Sequence, residues 1–278
     1  MRGRVFVFDR LKKIFNFKYD DVPMSDFTYL LHSLYAKFFH DYFFRCEHIG
    51  NYQKCIKTAE HEHVIFISNH ALTFEAVLLN YYLFVHQAGI VNTLVYSEAF
   101  KLPLIREFFR SCQCRPVSVH TGAECLKKHH ILLFPEGMDF IHHLGDPDGS
   151  PRFHTGFLHM ARQYLSSNGR RTIKILPIAH AGVENALKFW VIKNQFFMEK
   201  IIKPLANYPF WVIPKLPFLF PTKVVFNWGE PIRLKLDDIK TDKKIHQWSD
   251  RFRGIVQDLR KSAISLRAQH KWTLEHTP

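Results

Sequence analysis

The segment Ser68-Asn69-His70-Ala71-Leu72-Thr73-Phe74-Glu75 places a histidine five residues ahead of a glutamate. Imidazole is the side chain best matched to proton transfer near neutral pH. A carboxylate bonded to its other ring nitrogen fixes the tautomer and stabilises the imidazolium. On one regular helix the two side chains would point about 140° apart, so they meet only if His70 precedes a helix and Glu75 lies in its first turns. A turn at Asn69 supplies that arrangement. The pairing alone is a weak signal, because 18 His and 25 acidic residues produce such pairs by chance, and a lone histidine is more often a satisfied polar group.

A second segment strengthens it. Phe134-Pro135-Glu136-Gly137-Met138 follows an apolar run, and a Pro-Glu-Gly turn there lets the backbone approach a ligand closely, with amides able to face an oxyanion or a phosphate. Downstream, Arg152-Phe153-His154-Thr155-Gly156 leads into a helical pattern, another place for anion recognition. Other constellations carry less. His61-Glu62-His63, His129-His130 and His142-His143 lack a third ligand at matching spacing and read as solvated loop histidines rather than metal sites. No G-x-S-x-G elbow and no G-x-x-x-x-G-K-[ST] loop occurs, which sets aside a serine hydrolase and a P-loop nucleotidase.

The elements needed to position these residues are legible as strands alternating with helices. Apolar β-branched runs occur at 64–68, 91–97, 114–119, 130–135, 173–180 and 223–229, with helical patterns at 71–84, 102–111, 157–167 and 241–267. Such alternation predicts an α/β fold: a mixed, largely parallel sheet flanked by helices, with catalytic residues beyond the carboxyl ends of the strands. Residues 27–44, FTYLLHSLYAKFFHDYFF, read as an N-terminal amphipathic helical segment. It either packs on the core or lies in a bilayer surface. The expected organisation is a membrane-associating arm over 1–50 and one catalytic domain over 51–278.

Composition points the same way. Of 278 residues, 47% are hydrophobic, 27 are Phe, and the formal net charge is +13. A basic surface with surplus aromatic rings suits a membrane interface of anionic lipid, whereas no nucleic-acid-binding motif is present. The five cysteines contain no CxxC pair, which argues for a reducing compartment without a structural zinc. The short VFVF stretch near the start is no secretory signal, and no run of about 18 apolar residues predicts a spanning helix. The basic residues of the closing helix, including Arg260, read as a solvated face, with contact to anionic lipid as the alternative.

The motifs together resemble the glycerolipid acyltransferase family, the lysophosphatidate and lysophospholipid acyltransferases. The resemblance rests on Asn69-His70 with an acid at 75, Phe134-Pro135-Glu136-Gly137, Phe153-His154-Thr155-Gly156 and Leu176-Pro177-Ile178-Ala179, in that order, with Trp228-Gly229-Glu230-Pro231-Ile232 resembling the family's last strand. It covers about Val64 to Ile232. It implies that His70, the histidine of the HX4D motif, removes a proton from an acceptor hydroxyl attacking an acyl thioester, while Glu75 orients it. The Pro-Glu-Gly turn, including the Gly137 amide, would stabilise the oxyanion, and Asn69, Glu136, Arg115, Arg152, His154 and Gly156 would line the substrate site. It further implies acyl-CoA or acyl carrier protein as co-substrate, a glycerolipid acceptor, no metal or other cofactor, and a peripheral or monotopic place on the cytoplasmic face of a membrane.

Three positions depart from the family pattern. Glu75 replaces the usual Asp, His154 the usual Lys, and Ser118 the Arg that grips an acceptor phosphate, with Arg106, Arg110 and Arg115 as neighbouring substitutes. These changes leave two acceptor classes open: neutral acylglycerols, and lysophospholipids or lysophosphatidate. They also leave open a non-catalytic lipid-binding or membrane-remodelling protein on the same fold, and hydrolysis of the thioester by water.

Overall fold

Strand β2 (Val64–Ser68) shows how the sequence builds the sheet. All five of its residues are buried, and they alternate between two apolar layers: Val64 and Phe66 in one, Ile65 and Ile67 in the other. Only a central strand covered on both faces has that pattern. In this computed structural model the described residues are 34–269 apart from 72–73, 87, 102–105, 107–108, 111–112, 138–150, 187–188, 193–210 and 215–219.

The remaining strands are β1 (Glu47–Gly50), β3 (Val91–Val95), β4 (Cys114–Pro116), β5 (His130–Leu133), β6 (Thr172–Ala181), β7 (Phe189–Ile192), β8 (Trp211–Pro214), β9 (Val225–Trp228) and β10 (Ile232–Lys235). Eight form one sheet in the order β1-β9-β6-β2-β5-β3-β4, with β10 beside β6. β2 runs parallel to β5 and β6, β3 to β4 and β5, and β1 to β9; β6 pairs antiparallel with β9 and β10. The sheet is therefore mixed and mostly parallel, as the alternating pattern predicted. β7 and β8 make a separate antiparallel pair.

Helices α1 (Tyr52–His61) and α2 (Phe74–Val85) cover the face bearing Phe66 and Trp228. The opposite face, bearing Ile65 and Ile67, is covered by α3 (Val119–Lys128), α4 (Gly156–Asn168) and α5 (Asp242–Gln269). α4 stops at Gly169, whose φ of 62° is the left-handed conformation that ends a helix cheaply.

Several local expectations shift. Tyr52–His61, which precedes the first of the apolar runs and is not among the helical patterns, forms α1, whose buried side is only Cys55, Ile56 and Ala59. The run 114–119 ends as a strand at Pro116, and Ser118 caps α3 by accepting the Thr121 amide at 2.9 Å. Glu47–Gly50, inside the stretch assigned to the arm, pairs with β9 as a sheet edge. The helical pattern at 102–111 lies mostly outside the described residues, as do Cys112, His142, His143 and residues 1–33. What is described of the amphipathic segment is helical from Leu34, becoming a π-helix over Phe38–Phe43. Its buried side is Ala36, His40 and Phe44, while Leu34, Tyr35, Phe38 and Tyr42 are 51–66% exposed.

Candidate active site

β2 ends at Ser68, the chain turns through Asn69 and His70, and α2 begins at Phe74 with Glu75 in its first turn. This is the geometry that spacing required. His70 Nδ1 is hydrogen-bonded to Glu75 Oε1, and the same carboxylate oxygen accepts the Ala71 amide at 3.0 Å. Glu75 is fully buried, while 19% of the His70 side chain remains exposed. Burial by itself would raise the Glu75 carboxyl, but the charge and hydrogen bond of His70, with smaller help from His180 and the Ala71 amide, hold it below the ordinary value. Glu75 is thus ionised at neutral pH, and since an ionised carboxylate only accepts, the bond between them is donated by His70 Nδ1–H. The imidazole lies against the Phe134 ring, with centroids 4.7 Å apart and planes 23° apart.

The Pro135-Glu136-Gly137 turn sits beside this pair, because β5 neighbours β2. Its carboxylate faces inward. Glu136 Oε2 accepts the His70 backbone amide at 2.8 Å, and Glu136 is 5% exposed. Burial pushes its carboxyl up to about 7, against the opposing pull of the His70 amide, the His70 ring and Arg260. Gly137 has φ 56°, and a Cβ there would come within 3.0 Å of the His154 ring, so both the backbone conformation and the neighbour call for glycine. The Gly137 amide, expected to face an oxyanion, donates to the Phe134 carbonyl at 3.0 Å. In this conformation it closes the turn instead.

His154 belongs to the same surface. Its amide donates to the Pro135 carbonyl at 2.7 Å, tying the Phe153-His154-Thr155-Gly156 loop to the Pro-Glu-Gly turn, and Gly156 opens α4. Arg115 is placed elsewhere. It lies on edge strand β4, three strands from β2, or about 14 Å at ordinary inter-strand spacing. Arg152 is exposed and lines a cleft against α5 with His246, Asp250 and Arg253. Ser118, which stands where a phosphate-gripping arginine is usual, is committed to capping α3.

Two further residues escaped sequence reasoning. His180, on β6, has no exposed surface and is joined to Asn69 by three hydrogen bonds. A histidine inside the otherwise apolar run Ile175 to Ala181 was the available signal. Arg260, read as part of a solvated basic face, is half-buried and close enough for its charge to act on Glu136 and His180. Among the described residues no group of three or more His, Cys, Asp or Glu side chains could hold a metal ion.

Residues 48–181, just under half of the chain, match the family model described as Acyltransferase. The matched span runs from β1 through β6, and so contains His70, Glu75, the Pro135-Glu136-Gly137 turn, His154 and His180. No curated protein matches the chain.

Proposed function

We propose that the protein is an O-acyltransferase that moves a fatty acyl group from a thioester, acyl-CoA or acyl carrier protein, to a hydroxyl of a glycerolipid. The observation that carries this reading is the partly exposed His70 bonded through Nδ1 to the buried, ionised Glu75 at the carboxyl end of β2. With Nδ1 committed to Glu75, Nε2 is the atom that takes the acceptor's proton. The hydroxyl oxygen then attacks the thioester carbonyl. The tetrahedral intermediate collapses with loss of the C–S bond, and His70 returns the proton to the departing thiolate. The site needs no metal or other cofactor for these steps. The match to the Acyltransferase family over the same residues supports the assignment.

The acceptor we favour is a neutral acylglycerol, with lysophospholipid or lysophosphatidate as the alternative. Ser118 caps a helix rather than binding phosphate, Arg115 sits at the sheet edge, and His154 packs its ring on Gly137. The protein reaches lipid from the cytoplasmic face of a bilayer. Among the described residues no helix is long and apolar enough to cross a membrane. Leu34, Tyr35, Phe38 and Tyr42 present an exposed apolar side on the N-terminal segment, and Phe39 of that segment meets Phe74, next to Glu75, at 5.9 Å. An aromatic surface beside the catalytic pair, on a chain of formal charge +13, suits interfacial binding to anionic lipid.

The test is acyl transfer from labelled acyl-CoA to monoacylglycerol, diacylglycerol, lysophosphatidate, lysophosphatidylcholine and glycerol 3-phosphate in parallel. Product on an acylglycerol is expected. Product only on the phosphate-bearing acceptors would overturn the acceptor assignment, and vesicle binding with no product from acyl-CoA or, in a repeat, from acylated carrier protein would replace the enzyme with a lipid-binding protein.

A further inference from the structure

The loop that carries His70 is held at one point with unusual completeness. Asn69, 2% exposed, addresses all of its polar side-chain and carbonyl groups to one residue, His180, which is itself fully buried. Asn69 Nδ2 donates to the His180 carbonyl at 3.2 Å, Asn69 Oδ1 accepts the His180 amide at 2.8 Å, and the Asn69 carbonyl bonds His180 Nε2 at 2.9 Å. A carbonyl only accepts, so the Nε2 atom carries the imidazole proton and Nδ1 is bare. Burial lowers the tendency of His180 to take a second proton.

The position of this clamp gives it meaning. β2 pairs with β6 in parallel register up to Ser68 opposite Ile178. One residue later the β2 backbone must leave the sheet to bring His70 out to solvent. At that point the Asn69 side chain takes over the bonds to β6 that backbone would otherwise make. The ladder is therefore prolonged by one residue in side-chain form while the main chain turns. His180 supplies the only bond of the three that depends on its side chain, and that bond fixes the Asn69 carbonyl, hence the peptide plane leading into His70. The other end of that same peptide, the His70 amide, donates to Glu136 at 2.8 Å, so the plane is held at its carbonyl by β6 and at its N–H by the Pro-Glu-Gly turn.

A purely structural use of position 180 would be met by an apolar residue, as at its neighbours Ile178, Ala179 and Ala181. Burying an imidazole whose Nδ1 finds no hydrogen-bond partner among the described residues carries a desolvation penalty, which is understandable if the Nε2 bond serves the site. We propose that His180 is a positioning residue for acyl transfer, acting through the Asn69 peptide to aim the His70 imidazole at the acceptor hydroxyl and at Glu75. The inference rests on His70 being the base of the proposed reaction.

The experiment compares His180→Leu, His180→Gln, Asn69→Leu and the His180→Leu/Asn69→Leu double variant in the full chain. It uses acyl-CoA with the best acceptor, and follows the proton resonance of His70 Nδ1–H in each protein. Leucine removes the donor, and glutamine retains one. Displacing a general base by about 1 Å costs about a hundredfold. His180→Leu is therefore expected to lower kcat by about that factor with KM for acyl-CoA unchanged, and to broaden or shift the His70 resonance. His180→Gln should recover at least about tenfold of the loss, and the double variant should lose no more than the worse single one, since the two residues act as one unit. Wild-type kcat with an unchanged His70 resonance in folded His180→Leu overturns the proposal, as does a double loss equal to the product of the single losses. The acyltransfer reading fails separately: if wild-type protein transfers nothing, the resonance in His180→Leu still decides whether His180 positions His70.

Discussion

Replacing Glu75 by Gln removes one charge from a buried site and almost nothing else. The amide oxygen can still accept the Ala71 amide, which Glu75 Oε1 does at 3.0 Å, and the side-chain volume is nearly kept. What is lost is the counter-charge to the imidazolium that forms when His70 takes the acceptor's proton. Two unit charges about 3 Å apart, at an effective dielectric of about 20, attract by about 5 kcal/mol, and a barrier raised by that amount slows the reaction by about four orders of magnitude. A Ser-His-Asp triad loses on the order of 10⁴ in kcat when its acid becomes the amide, the same scale reached by a different route. The assay is CoA release in the presence of acceptor lipid, followed by a thiol-reactive dye, with donor KM and thermal midpoint measured on the same preparation. The expected result is a kcat near background, an unchanged KM and a folded protein. A folded Glu75→Gln variant within tenfold of wild type would refute the role given to the carboxylate.

Glu136→Gln should raise stability at pH 8. A carboxyl pushed up to about 7 from an unfolded value near 4.5 loses stability as pH rises through that window, by about 3 kcal/mol in all. Urea titrations at pH 5 and 8 check this, and a variant no more stable than wild type at pH 8 would count against it. Acid should destabilise the protein from about pH 6.5 downward. His130 is lowered to about 4 by burial, and His48, His40 and His180 are lowered as well. A histidine that stays neutral in the fold removes about 1.4 kcal/mol per pH unit as pH falls below its unfolded value, so His130 and His48 together already outweigh the opposite slope of Glu136. His130→Asn, whose amide oxygen can still accept the Val64 amide, should flatten the fall by about one histidine's share, and an unchanged slope would exclude His130 from it. Phe38→Asp with Tyr42→Asp should weaken binding to anionic vesicles at least tenfold without loss of fold, since both rings are over half exposed; undiminished sedimentation with vesicles would remove the membrane role from this segment.

Much of the site was legible because its signals are local. β2 is an uninterrupted apolar run that Asn69 ends, and the helical pattern resumes in time to put Glu75 in the first turn of α2. α5 likewise announces itself by length and period. The features that escaped are set by partners distant in sequence. Asn69 and His180 lie 111 residues apart, and only the parallel register of β2 with β6 brings them together. Glu136 sits in the motif that drew notice, but nothing local says that its carboxylate turns inward to the His70 amide rather than outward to substrate. β1 carries only Ile49 as an aliphatic residue and takes its ladder from β9. α1 went unread because a helix that buries only Cys55, Ile56 and Ala59 has too narrow an apolar stripe to stand out from a polar loop. Arg260 shares a helix with exposed basic residues, and which of them turns inward depends on how α5 packs across the sheet.

The most direct measurement is acyl transfer by His70→Ala beside wild type, on protein shown to be folded and equally bound to vesicles. Loss of transfer to the level of buffer, with vesicle binding intact, is the expected result. Transfer retained at a substantial fraction of the wild-type rate would contradict the assignment of His70 as the base.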